Sequence, residues 1–212
     1  MKQKIKIFIK STIIYSVYIR TQLSYSRFIQ NNCKSFWLNL KYYLYNNCLT
    51  YFPCYRIRIL YLRHIIGISI GRDTFIHMGC FFEGNAMFIG NNTVIGRNCY
   101  FGCGSGGIGV LTIKNNVSIT AQTYIICTTH LINSPVFEAV SKDVVIEDYA
   151  WIGARAMILP GVKIGRGSVL GSASTATKDI PDYSVYAGTP AIKIGDRTKE
   201  LNYNLLYFPC FQ

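Results

Sequence analysis

A period of six residues constrains this chain more than any other feature. In IEDYAWIGARAMILPGVKIGRGSVLGSASTAT, Ile146, Ile152, Ile158, Ile164 and Leu170 stand six apart. The same register runs upstream through Ile70, Ile76 and Phe82, slips by one residue to Ile89, and continues at Ile95 and Phe101. After an insertion it resumes at Ile113, Ile119 and Ile125, and after a longer one at Ile146. The residue four places after each of these is small or β-branched, from Thr74 and Cys80 through Ser105, Val117 and Thr129 to Ser168 and Ser174. A fixed short period of this kind specifies a solenoid and takes precedence over separate helix and strand assignments.

Six residues make a short strand and a turn. Each unit points one large apolar side chain inward, and the small residue fills the corner. Three units close a triangular coil of ~18 residues. Successive coils stack by parallel strand pairing about 4.8 Å apart, so each buries the apolar face of the next and none is stable alone. Glycines such as Gly153, Gly165 and Gly171 suit corners where a β-carbon would clash or where φ is positive.

The charge is lopsided. The formal net charge is +12, from 22 Lys and Arg against 10 Asp and Glu. Through Arg63 there are eleven basic residues and no acid; the first acid is Asp73. This segment interleaves Lys and Arg with Ile, Phe, Tyr and Trp. Its uncharged run Ser11 to Ile19 is too short to span a bilayer. The composition suits an amphipathic surface segment that meets anionic headgroups, or one that packs on the following domain or a neighbouring subunit. No nucleic-acid module accompanies the charge. The eight cysteines show no regular spacing outside the repeat, and the chain has no clear signal peptide, so free thiols in a reducing cytoplasm are expected. Cys80 and Cys99 fall on small inward positions, where they act as modest hydrophobes.

Two interruptions break the coils. Gly102 to Gly109 (GCGSGGIG) lacks the Lys-Ser/Thr pair of a phosphate-binding loop and reads as a turn between coils. The second, THLINSPVFEAVSKDVV from Thr129 to Val145, leaves the scaffold with His130 at its base, and loops on a rigid scaffold are where chemistry is placed. Of the other two histidines, His64 reads as a surface or packing residue and His77 as a turn residue. The aromatic tail beyond Leu201 reads as a cover for an open end or side of the solenoid.

The hexads, the loop THLINSPVF, the run VVIEDYAWIGARAMILPGVKIGRGSVLGSASTATKDIP and the segment YAGTPAIKIGDR resemble the hexapeptide-repeat acyltransferases, especially the sugar O-acetyltransferase branch, over residues 53 to 197. The resemblance implies an all-β fold, a left-handed parallel β-helix. The helix would occupy residues 64–178 with a catalytic loop at 129–145. A basic, helical extension over 1–63 would precede it and a segment over 179–212 would cap it. It also implies acetyl transfer from acetyl-CoA to a sugar hydroxyl of a cell-surface polysaccharide or its precursor, in the cytoplasm or at the inner face of the membrane. The assembly would be a homotrimer with active sites between subunits, with no metal and no nucleic acid.

In the family the histidine of this loop is the general base, which falls on His130. Glu138 in the same loop is a candidate partner. The residue after WIG lines the CoA groove and falls on Ala154. The small residue of a later unit falls on Ser172, and the family's Thr-Lys pair falls on Thr177 and Lys178. A basic residue after the G-x-P-A segment meets the nucleotide end of CoA. Here Ile192 stands at its usual position, with Lys193 next and Arg197 beyond. Three other readings stand beside this one: N-acetylation of an amino sugar, a non-catalytic glycan-binding β-helix, and a γ-type carbonic anhydrase. The last needs three gathered histidines, and the loop holds one.

Overall fold

The computed structural model of the protein describes residues 36–37, 39–103 and 109–206. Three parallel sheets form the faces of a triangular prism. The first face stacks Ser69–Ile70, Met87–Ile89, Leu111–Ile113, Val144–Ile146 and Lys163–Ile164. The second stacks Phe75–Ile76, Val94–Ile95, Ser118–Ile119, Trp151–Ile152 and Val169–Leu170. It is then extended by Ser184–Ala187 in parallel and Ile192–Asp196 in antiparallel pairing. The third stacks Phe81–Glu83, Tyr100–Gly102, Tyr124–Ile126, Met157–Ile158 and Thr175–Ala176.

The register is the one the hexads dictate. Ile70, Ile89, Ile113, Ile146 and Ile164 are Cα partners up the first face. Ile76, Ile95, Ile119, Ile152 and Leu170 climb the second. Phe82, Phe101, Ile125, Ile158 and Ala176 climb the third. All are buried. Parallel pairing places like residue over like, so one ladder of aliphatic and aromatic side chains fills each inner face.

The corners divide two tasks between residue types. Buried hydroxyls reach the next coil: Thr74 Oγ1 donates to Gly90 O at 2.6 Å and Thr93 Oγ1 to Lys114 O at 2.9 Å. Positive φ is supplied largely by residues other than glycine, such as Asp73, Asn92, Asn98 and Asn116, short polar side chains that tolerate it. Glycine instead serves close approach. A β-carbon on Gly153 would lie 2.4 Å from Ser172 N. The small-residue rule breaks at Thr129, which is exposed because the chain has already left the coil there. Ser105 and the rest of 104–108 lie outside the described residues.

The compact unit holding the coils begins at Tyr42, well upstream of the first strand. Helical segments over 42–47, Tyr55–Tyr61 and Leu62–Ile66 bury Tyr45, Ile59, Leu62 and Ile66 on the first coil. Polar groups finish the strand edge there. Asn46 exchanges hydrogen bonds with the Phe82 backbone through its side-chain amide at 2.9 and 3.0 Å. Thr50 Oγ1 donates to Cys80 O, and the buried Arg58 donates to Phe52 O and Ile76 O. Residues 42–66 of the basic segment therefore pack one side on the first coil and leave Ile57, Leu60 and Ile65 exposed. In the first unit, Phe36 and Trp37 meet edge to face at 5.6 Å. The arm over 1–35 lies outside the described residues. Among the described residues no helix is long and apolar enough to cross a membrane.

The expectation of free thiols fails at Cys103 and Cys127, which are paired in a disulfide. Strand register explains it: Gly102 pairs with Ile126, so the next residue of each strand stands side by side, with Cα atoms 4.9 Å apart. Cys48 and Cys54 are exposed, whereas Cys80 and Cys99 are buried. Burial pushes the Cys80 thiol well up, and its neighbour Cys99 adds to the rise. Iodoacetamide on the native, unreduced protein should alkylate Cys48 and Cys54 and spare Cys80, Cys99, Cys103 and Cys127, as read by peptide mass spectrometry. Native labelling of Cys103 or Cys127 would show that the pair is open.

Candidate active site

The long interruption is a two-stranded antiparallel hairpin, Thr128–His130 against Ala139–Ser141, with His130 opposite Ala139. It rises from the corner between the third and first faces. Its base is tied down by Lys142 N–H donating to Cys127 O at 2.8 Å, and by the Cys103–Cys127 disulfide one residue before the first strand. Thr128 and Ser141 share a hydroxyl–hydroxyl contact at 3.0 Å. The tip is built around Ser134, whose Oγ accepts from the backbone N–H groups of Val136 and Glu138. This turn puts Phe137 at φ +52° and brings its ring onto the His130 imidazole, with centroids 3.9 Å apart and planes 14° from parallel. His130 is exposed, so its ring is held by stacking on one face. Glu138 enters the hairpin through its backbone, its carbonyl accepting from Leu131 N–H at 2.9 Å.

The remaining site residues lie on three corners of the prism. Ala154 and Ser172 stack on the corner between the second and third faces, where Ala173 N–H donates to Ala154 O at 2.8 Å. Ser172 is exposed and Ala154 half-buried. Both are small, so this corner offers a shallow surface. Thr177 and Lys178 are exposed on the corner between the third and first faces, the one that carries the hairpin. The third face therefore has the His130 arm along one edge and the Ala154–Ser172 corner along the other. A shallow corner of small residues can take an extended, flexible chain, and a cation such as Lys178 can meet phosphate oxygens.

Arg197 is not brought to this region. Its guanidinium donates to Tyr149 O at 3.0 Å, Gly167 O at 3.3 Å and Tyr203 OH at 3.1 Å, all at the corner between the first and second faces. It pins the tail, which runs back across the coils to place Leu205 N–H on Asn116 Oδ1. As far as residue 206 the tail lies along a side of the solenoid, with Leu205 and Leu206 against the wall that holds His77.

Sequence reasoning missed three features. Phe137 stacks on His130 through a turn whose φ no short motif announces. Arg155 stands on the Ala154 corner, its Nε donating to Gln122 Oε1 at 2.8 Å. His77 forms part of the wall of a cavity of about 430 Å³ with Arg97, Thr120 and the tail's Leu205 and Leu206. Burial lowers the His77 pKa, and Arg97 and Arg58 lower it further.

Comparisons with known proteins point to the same fold. Residues 143–177 match the family described as bacterial transferase hexapeptide (six repeats). The chain is 35% identical over 115 residues to a galactoside O-acetyltransferase of Lactococcus lactis subsp. lactis, covering 48% of this chain and 56% of that one. It is 33% identical over 139 residues to a galactoside O-acetyltransferase of Escherichia coli, covering 62% and 66%. The chain thus spans less than two thirds of the length of these curated relatives. A hexapeptide-repeat acetyltransferase from Vibrio cholerae O1 biovar eltor, solved with acetyl-CoA, superposes with a TM-score of 0.63 at 26% identity, covering 76% of this chain and 86% of that one.

Proposed function

We propose that this chain, a left-handed β-helix whose residues 143–177 match the transferase hexapeptide repeats, is an acetyl-CoA-dependent O-acetyltransferase acting on a sugar hydroxyl of a cell-surface polysaccharide or its precursor. The observation that carries the reading is the pairing of an exposed histidine, held on a hairpin at one edge of a face, with a corner of small residues along the other edge. Acetyl-CoA supplies the activated acetyl thioester. Ala154 and Ser172 present the shallow corner for its pantetheine arm, and across the third face Thr177 and Lys178 stand on the hairpin's corner, where Lys178 meets its phosphates. His130 takes the proton from the acceptor hydroxyl as that oxygen attacks the thioester carbonyl; the C–S bond then breaks, the ester forms, and CoA leaves as the thiol with that proton. Transfer is direct and rests on holding the two substrates side by side, so no acyl-enzyme is needed. Phe137 fixes the imidazole plane, and Arg197 is assigned to holding the tail.

The assembly in this reading is a homotrimer with sites between subunits. The hairpin tip supports it: Ile132 is 97% and Val136 79% exposed in the single chain, and apolar side chains so displayed call for a covering surface. The function is exercised in the cytoplasm or at the inner face of the membrane. The test is to incubate the full chain with acetyl-CoA and a panel of galactosides, maltose and amino sugars, following CoA release and assigning products by NMR. An acetyl ester is expected. An acetamide would move the activity to amine acceptors. Failure to bind CoA by calorimetry would favour a non-catalytic glycan-binding β-helix.

A further inference from the structure

Three arginines line one cavity at the end of the solenoid remote from Ser172 and Lys178. The cavity is about 410 Å³, set between the helical cap and the first corner of the first coil, with Arg56, Arg63, Arg72 and Asp73 as its charged residues. The lining thus carries a net excess of two positive charges. The ion pairs among the described residues all lie elsewhere, so among those residues no carboxylate is paired with these guanidiniums. Arg63 is held in place, its Nη2 donating to Ile70 O at 2.9 Å and Gly71 O at 2.7 Å. The backbone of Arg72 is anchored by Asn91 Oδ1 at 2.8 Å. Three arginines lining one cavity suit phosphate oxygens.

The surroundings are apolar. Leu60 lines the cavity and is 53% exposed, and Ile57 and Ile65 on the same helical stretch are 44% and 51% exposed. A row of large aliphatic side chains beside a cationic cavity is the arrangement that meets an amphiphile at an interface.

We propose that this cavity binds a phosphate group carried on an apolar chain, with the phosphate between Arg56, Arg63 and Arg72 and the chain along Leu60 and Ile57. A phospholipid headgroup in a bilayer and a single lipid-linked phosphate share this chemistry. The site is separate from the acetyl-transfer residues and does not depend on their assignment.

The experiment uses the full chain and calorimetry with dihexanoylphosphatidic acid below its micellar concentration, with inorganic phosphate for comparison. Arg56→Gln/Arg72→Gln should weaken phosphatidic acid binding at least about tenfold, as expected for lost charge-assisted hydrogen bonds. Leu60→Gln should weaken it as well, and inorganic phosphate should bind more weakly than the amphiphile. Lys114→Gln/Lys163→Gln, which removes two charges from the coils away from the cavity, should leave it unchanged. Cosedimentation with phosphatidylglycerol vesicles then separates the sources. If vesicle binding falls in the double arginine variant, the bilayer headgroup is the occupant. If only phosphatidic acid binding falls, the occupant is a single lipid-linked phosphate. Absence of binding, equal binding by the double arginine variant, or inorganic phosphate binding as tightly as the amphiphile overturns the proposal. Arg56→Gln alone, at an exposed position, serves if the double variant does not fold. Acetyl transfer to a soluble sugar should persist in these variants, which keeps this test distinct from that of the catalytic reading.

Discussion

His130→Ala should lower acetyl transfer by roughly 10²- to 10⁴-fold, the usual contribution of a positioned general base. The fold should be unaffected. The imidazole is exposed, its only ring contact among the described residues is Phe137, and it lies on a hairpin outside the coils. Circular dichroism and the thermal midpoint should therefore match the parent protein while CoA release with a responsive sugar acceptor collapses. Phe137→Ala should cost less, because it frees the ring without removing the base. Its loss should show in kcat rather than in the KM for acetyl-CoA, whose pantetheine arm is proposed to lie on Ala154 and Ser172 at another corner. Unchanged turnover in His130→Ala would remove this residue from the mechanism and leave the fold assignment standing.

Ile152→Ala should give the largest loss of stability for a single aliphatic truncation. Ile152 is 0% exposed and sits mid-ladder, between Ile119 below and Leu170 above. Both neighbours are held in register by backbone pairing and cannot collapse into the space left. The cost should be roughly 2–5 kcal/mol, a fall in thermal midpoint on the order of 10 °C for a chain of this size. In a solenoid, stability is a sum of repeat and interface contributions, so weakening a central coil weakens both interfaces it makes. Lys163→Ala is the matched control. Its side chain is half exposed and its ion pair with Glu147 is 3.4 Å long, so its effect should stay within about 0.5 kcal/mol. Equal shifts for the two substitutions would contradict the inward ladder.

The interior of the coils was legible because its cause is local and repeated. Every sixth position meets the same surroundings, so Ile95, Ile119 and Ile152 announce one another, and the corner positions at Thr93, Thr123 and Ala156 follow from the same count. The candidate site was legible only where it rides on that count or on the resemblance: Ala154 and Ser172 occupy fixed places in a hexad, and His130 marks the point where the count fails. Phe137 was not legible, since its place over His130 depends on a turn closed by Ser134. Nor was the packing of the helical cap on the first coil, because helix 55–61 mixes Arg and Tyr with Ile, which reads as amphipathic whatever it lies against.

The sequence by itself determined the repeating unit, its three-sided coil, the inward residues and the location of the irregular loop. A period of six leaves a parallel stack few alternatives. Tertiary structure alone decided which distant groups meet. It set Cys103 beside Cys127 through strand register and turned Arg197 away from Ala154, Ser172 and Lys178 to hold the tail. It also gathered Arg56, Arg63 and Arg72 around one cavity. Each of these depends on coils stacking at a given offset, and that offset is created by insertions and helical segments that carry no period of their own.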